Sequence, residues 1–167
     1  MNRRNERNVL KLEIESDTTV VVTRRFDAEP ELVYRAHTEP ELLRRWMHGP
    51  DGWTMTECIN DARPGGAIRY AWADNQGNGF SLTGEFIELV PFSKLVHVER
   101  MHLPDPTPDN RVETRFERDG AGGTLMTMRM QLPDKQTRDA MLASGMEHGM
   151  EASYVRLEQQ LASPATT

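Results

Sequence analysis

From Trp53 to Leu132 the chain alternates apolar with polar residues, and clusters of turn formers interrupt the alternation at intervals: "RPGG", "DNQGNG", "PFSK", "PDPTPDN" and "DGAGG". Successive side chains of a strand point to opposite faces, so the pattern predicts an antiparallel meander of about six strands with one greasy face and one wetted face. In "AIRYAWAD" the greasy face takes Ile68, Tyr70 and Trp72, and in "TLMTMRMQL" it takes Met126, Met128, Met130 and Leu132. Such a sheet has to bury that face against another element.

The flanking segments supply the cover. Residues 10 to 26, "LKLEIESDTTVVVTRRF", are rich in Val and Thr and read as a strand or a short hairpin. In "DAEPELVYRAHTEPELLRRWM" the tetrapeptide Glu-Pro-Glu-Leu occurs at 29 to 32 and again at 39 to 42. Proline at a first helical position with acids around it marks a helix start, which predicts two short consecutive helices. Val33, Ala36 and His37 share a face of the first; Leu42, Leu43 and Trp46 anchor the second. After Pro133, Asp134 can cap a final helix that runs to about Ser163. At about 100° per residue, Leu142, Met146, Met150, Ser153 and Leu157 form its apolar stripe, with Gly149, Tyr154 and Leu161 at the margins. Glu147, His148, Glu151 and Glu158 face away, and the concave side of the sheet is the surface large enough to receive the stripe.

Composition removes several function classes. The chain of 167 residues carries a net charge of -6 with a pI near 5.4, and its acids and bases are interleaved, which argues against nucleic acid as a partner. No run approaches the roughly 18 apolar residues that span a bilayer. Cys58 is the sole cysteine, which excludes an internal disulfide and a thiolate zinc cluster. No nucleophile elbow, phosphate loop or zinc-binding helix appears, and neither metal nor cofactor is expected. The opening "MNRRNERN" carries three arginines but no apolar run follows it, so residues 1–8 are expected to form a solvated tail, residues 9–163 a single domain, and 164–167 a second tail. A cytoplasmic location is the default expectation, and no feature of the sequence bears on oligomeric state.

The order strand, two small helices, meander and long helix is accompanied by local signatures: "PELVYRAHTEPELLRRWMHGPDGWT", "RPGGAIRYAW", "GEFIELVPFSKLVHVE" and "GMEHGMEASYVRLEQQL". Together they resemble the START-like (SRPBCC, helix-grip) superfamily, and within it the domain named after the activator of the heat-shock-protein-90 ATPase. The resemblance implies an α+β fold: a curved antiparallel sheet of about six to seven strands, two short helices after the first strand, and a long C-terminal helix packed across the sheet over an elongated cavity. In much of the superfamily such cavities hold lipids, sterols, polyketides or plant hormones, and a few members are cyclases, aromatases or hydrolases. The co-chaperone itself carries an additional N-terminal domain that contacts the chaperone, for which this chain has no room.

Three readings of function follow. The first is uptake of an apolar or amphipathic small molecule without chemistry; the second is an enzyme on the same scaffold; the third, resting on the family name, is contact with a chaperone. Val33, His37, Trp46, Tyr70, Trp72, Phe86, Met126, Met128, Met130, Leu142, Met146, Met150 and Ser153 are the expected ligand-binding residues. Unbranched thioethers adapt to irregular partners, so the methionines suit a pocket for varied apolar ligands, although such a stripe is also what an ordinary core provides. Tyr70 and Trp72 could present an O–H and an N–H to a ligand's polar end. Gly149 would be explained by close approach of another group to that edge of the helix. For an enzyme, His97 with Glu99, or His37, are the candidate acid and base. Because Val96 and Val98 form the greasier face of that strand, His97 and Glu99 are expected to be a solvated pair, with the inward alternative open. "DNQGNGFSLTGE" places Asp74, Gln76, Asn78, Gly79 and Glu85 at calcium-loop offsets, but strand patterns flank it where helices are required, and it reads as a hairpin turn.

Overall fold

A computed structural model describes residues 8–103 and 105–163. The expected tails at 1–7, with their arginines, and 164–167 lie outside the described residues. Strands β1 (Lys11–Ile14) and β2 (Thr19–Phe26) form a hairpin, followed by helices α1 (Pro30–Thr38) and α2 (Pro40–Trp46). Then come β3 (Trp53–Asn60), β4 (Ala67–Asp74), β5 (Gly79–Val90), β6 (Lys94–Leu103), the two-residue β7 (Asp105–Pro106), β8 (Asn110–Arg118) and β9 (Thr124–Gln131). Helices α3 (Lys135–Ala143) and α4 (Met146–Ala162) complete the described chain. The strands make one antiparallel sheet in the order β1-β2-β9-β8-β6-β5-β4-β3, with β7 paired to β6 off that path. This is the helix-grip arrangement. The sheet has nine strands where six or seven are expected, because the first segment is a hairpin and β7 is too short to show a period.

Register shows which side chains share the concave face. Val20, Met130, Val112, His97 and Phe86 stand in one row across β2, β9, β8, β6 and β5. Leu132 closes onto the Thr18 carbonyl at 2.8 Å. The core lies between this face and the helices, and Val20, Val22, Phe26, Val33, Leu43, Val112, Phe116, Met126 and Leu157 are all buried. Both EPEL prolines begin helices as expected, and extended Glu39 separates the two helices, its N–H donating to Arg35 O.

The C-terminal segment departs from expectation. Asp134 caps the short α3, its carboxylate accepting from Thr137 N at 2.7 Å, and the helix stops at Ser144–Gly145, where Gly145 adopts φ +81°. Left-handed backbone is open to glycine at little cost and ends the helix, while the apolar spacing carries on across the break, so periodicity alone reads one long helix. The buried line of α4 is also rotated. Tyr154 and Leu157 are buried, whereas Met146 and Met150 are half-buried against the core. Glu151 and Glu158 do not face away; both turn in to Arg24. Asn8, assigned to the tail, is buried and donates to Glu158 Oε1 at 2.7 Å. No described helix is long and apolar enough to cross a membrane.

Candidate functional site

The space between the concave face and the helices has three zones of different chemistry. At the α1–α2 end, the His37 ring sits 5.0 Å from that of Trp46, 5.1 Å from that of Phe116 and 6.5 Å from that of Tyr154. Its Nδ1–H donates to Val33 O at 2.7 Å, leaving Nε2 buried with no protein partner. Removal of the ring from water disfavours the imidazolium and lowers its pKa to about 4. Trp46 stacks on Tyr154 at 5.8 Å and donates its indole N–H to Ala36 O at 3.0 Å. Burial pushes the Tyr154 phenol up.

At the β3–β5 end, Trp72 stacks on Phe80 at 4.8 Å and donates to Met47 O at 2.6 Å. Tyr70 donates to Asn60 Oδ1 at 2.5 Å, and Asn60 in turn donates to Thr38 O at 2.7 Å. The polar ends of Tyr70 and Trp72, expected to meet a ligand, therefore tie the sheet edge to α1 and to the chain after α2. Cys58, also buried, has its thiol pKa raised by burial.

Between these zones lies β6. His97 and Glu99 share the concave row parity with Leu95 and Met101; they are not the solvated pair expected. His97 stands opposite Phe86 and Val112, and Glu99 opposite Gly84 and Asn110. Their side chains are only 17% and 23% exposed, with His97 Nε2 at 3.7 Å from Glu99 Oε2. After burial itself, the Glu99 carboxylate adds to the upward push on the phenols of both Tyr70 and Tyr154, as a charge turned toward the interior would. Val96 is buried as well, but stands outside the main core cluster, on the opposite face. Both faces of this strand bury side chains, so hydrophobicity could not reveal which face is inward. His97 Nδ1 and Asn110 Oδ1 are buried without a protein partner. Asn110, at the close of "PDPTPDN", reads in sequence as turn; its even spacing from buried Val112 and Thr114 was the available signal.

Met101 on β6, Met128 on β9, Met141 and Leu142 on α3, and Met146 and Met150 on α4 are half-buried and packed against the core, while Met126 and Met130 are fully buried. Val33, Trp46, Tyr70, Trp72 and Phe86 are buried, and Ser153 is half-buried. Gly149 is exposed, and a Cβ built on it meets nothing within 4 Å, so it marks no close approach.

Arg24, on β2, is 1% exposed beneath α4. Its Nε and Nη2 donate to Glu151 at 3.3 and 3.2 Å, and Nη1 donates to Glu158 Oε1 at 3.1 Å and Arg25 O at 2.9 Å. Glu151 also accepts from Leu10 N at 3.1 Å. On the convex face a shallow depression is lined by Arg111, Glu113, Arg129 and Gln131. The candidate calcium loop is a hairpin turn in which Asp74 accepts from Gln76 N, Asn78 N and Asn78 Nδ2, with the Asn78 side chain contributing most to its lowered pKa. Among the described residues no group of three or more His, Cys, Asp or Glu side chains could hold a metal ion.

Comparison with known proteins agrees with this architecture. The family model of Activator of Hsp90 ATPase homolog 1-like protein matches residues 27–162. A crystal structure from Rhodobacter sphaeroides superposes with a TM-score of 0.85 at 33% identity, covering 92% of this chain and 98% of that one. One from Nitrosomonas europaea superposes with a TM-score of 0.76 at 25% identity, covering 89% and 96%. One from Mycobacterium smegmatis gives 0.80 at 19% identity, covering 93% and 98%, and shows the fold alone. No curated protein matches.

Proposed function

Because the chain belongs to the family of activator of Hsp90 ATPase homolog 1-like proteins, within the START-like superfamily, we propose that it binds an apolar or amphipathic small molecule between the sheet and α4 and does not transform it. The scaffold is of a ligand-binding kind at the coarse level. The observation that carries the finer reading is a core flanked by half-buried Met101, Met128, Met141, Leu142, Met146 and Met150 that also holds the buried, unpartnered His97 Nδ1 and Asn110 Oδ1. Flexible thioethers give an adaptable apolar wall, and a few convergent polar groups are how such walls orient a guest. Met146 and Met150 also sit just beyond the helix break at Ser144–Gly145, where α3 and α4 can separate without breaking a continuous helix.

A second reading, an enzyme on the same scaffold, is favoured by one observation: the inward His97 and Glu99 are 3.7 Å apart, close enough to act as acid and base on a bound substrate. Contact with a chaperone rests on the family name alone. Native mass spectrometry of the freshly purified protein, together with Nile red fluorescence, tests the binding reading. A copurified mass that denaturation releases, or saturable dye uptake that Met150→Glu abolishes without loss of fold, is the expected result. Absence of both overturns the reading. A hydrolytic or cyclising activity that His97→Ala removes while dye uptake persists would establish the second reading in its place.

A further inference from the structure

The geometry points to a ligand whose polar end is a hydrogen-bond donor, a protonated amine in particular, seated against Glu99 and Asn110; this rests on the binding reading above. Among the described residues, the buried polar atoms that β6 and β8 leave without a protein partner are His97 Nδ1 and Asn110 Oδ1, and Glu99 shares their face, opposite Asn110 in register and 3.7 Å from His97. An amide oxygen and a carboxylate accept and do not donate. A buried acceptor left unmatched is costly, so a guest that donates to this patch is selected and one that brings a second carboxylate is rejected.

The cations that reach the same side are already committed. Arg24 gives four of its five N–H donors to Glu151, Glu158 and the Arg25 carbonyl. Arg138 donates to Ser16 O and Asp139, and Arg156 to the carbonyls of Trp46 and Gly49. Glu99 has no arginine or lysine partner among the described ion pairs; its neighbour is His97, beyond hydrogen-bond length. The Glu99 carboxylate is thus open to a cation brought by a guest, and the apolar surroundings of Phe86, Leu82, Met101 and Val112 strengthen any charge pairing made there.

Three probes of one chain length separate the possibilities: decylammonium, decanol and decanoate, each titrated below its micelle concentration against Nile red-loaded protein. Decylammonium is expected to displace the dye at least tenfold more tightly than decanoate, with decanol between. Glu99→Gln should erase most of that tenfold preference and leave decanol unchanged. Glu147→Gln, which removes an equal charge from the exposed side of α4, should leave the preference intact and so exclude general attraction to an acidic protein. Equal displacement by amine and carboxylate, tighter binding of decanoate, or a preference that survives Glu99→Gln overturns the inference while the binding reading stands. Failure of all three probes to displace, or of the dye itself to bind, overturns both.

Discussion

Replacing Arg24 by methionine should loosen the grip of the C-terminal helix. The side chain is buried and is the hub between β2 and α4, reaching Glu151 and Glu158, while Glu151 also holds Leu10 N and Glu158 holds Asn8. Methionine keeps most of the apolar stem, so the change isolates the guanidinium. Leaving a buried charge without its partner costs about 3–5 kcal/mol. Glu151 and Glu158 retain 20% and 30% exposure and can rehydrate in part, which places the cost at the lower end, about 3 kcal/mol. For a chain of this size each kcal/mol moves Tm by roughly 2–4 °C, so the midpoint should fall by about 6–12 °C. Circular dichroism melts of the purified variant measure it directly. Adding Glu151→Gln and Glu158→Gln to Arg24→Met should recover at least about 1 kcal/mol, since the orphaned carboxylates are then gone. A single variant that melts within about 2 °C of the parent, or a triple variant that melts no higher than the single one, refutes this account of how α4 is held.

Gly149→Ala and Gly145→Ala should move stability in opposite directions. The first adds a methyl to open space in a helix and should gain up to about 1 kcal/mol, and the second forces φ +81° on a residue with a Cβ and should lose about 1–2 kcal/mol, both read from urea midpoints. His37 supplies a pH dependence: its folded pKa of about 4 lies below the unfolded value of about 6.5, so the unfolded chain takes up the proton first. Its contribution is complete above pH ~6.5 and is lost as the pH falls toward 4, by at most about 3.4 kcal/mol; His37→Gln should flatten the stability profile across that window, and an unchanged slope would exclude the role. Tyr70→Phe should cost about 1–3 kcal/mol in the same assay by leaving Asn60 Oδ1 without its donor.

Side-chain direction was legible in the sequence wherever it follows from the residue's own strand or helix. Ile68, Tyr70 and Trp72, and Met126 and Met130, are buried on one face because a strand repeats every second residue and the turn clusters set its limits. The two EPEL helices were legible because proline without an N–H fits a first helical turn. What the sequence left open were choices made between elements. The pattern of β6 alone favoured Val96 and Val98 facing in; pairing with Val112 and Phe86 turned His97 and Glu99 inward instead. Glu151 and Glu158 look solvent-facing until Arg24, more than a hundred residues earlier, is placed beneath them. The break at Gly145 was hidden because the apolar spacing of α3 carries on into α4 across the two residues between them, so periodicity leaves no mark of the stop. Local periodicity therefore determined the elements and most of the core, while the polar contents of the interior were decided by partners distant in sequence, whose positions arise only when the sheet closes around the helix.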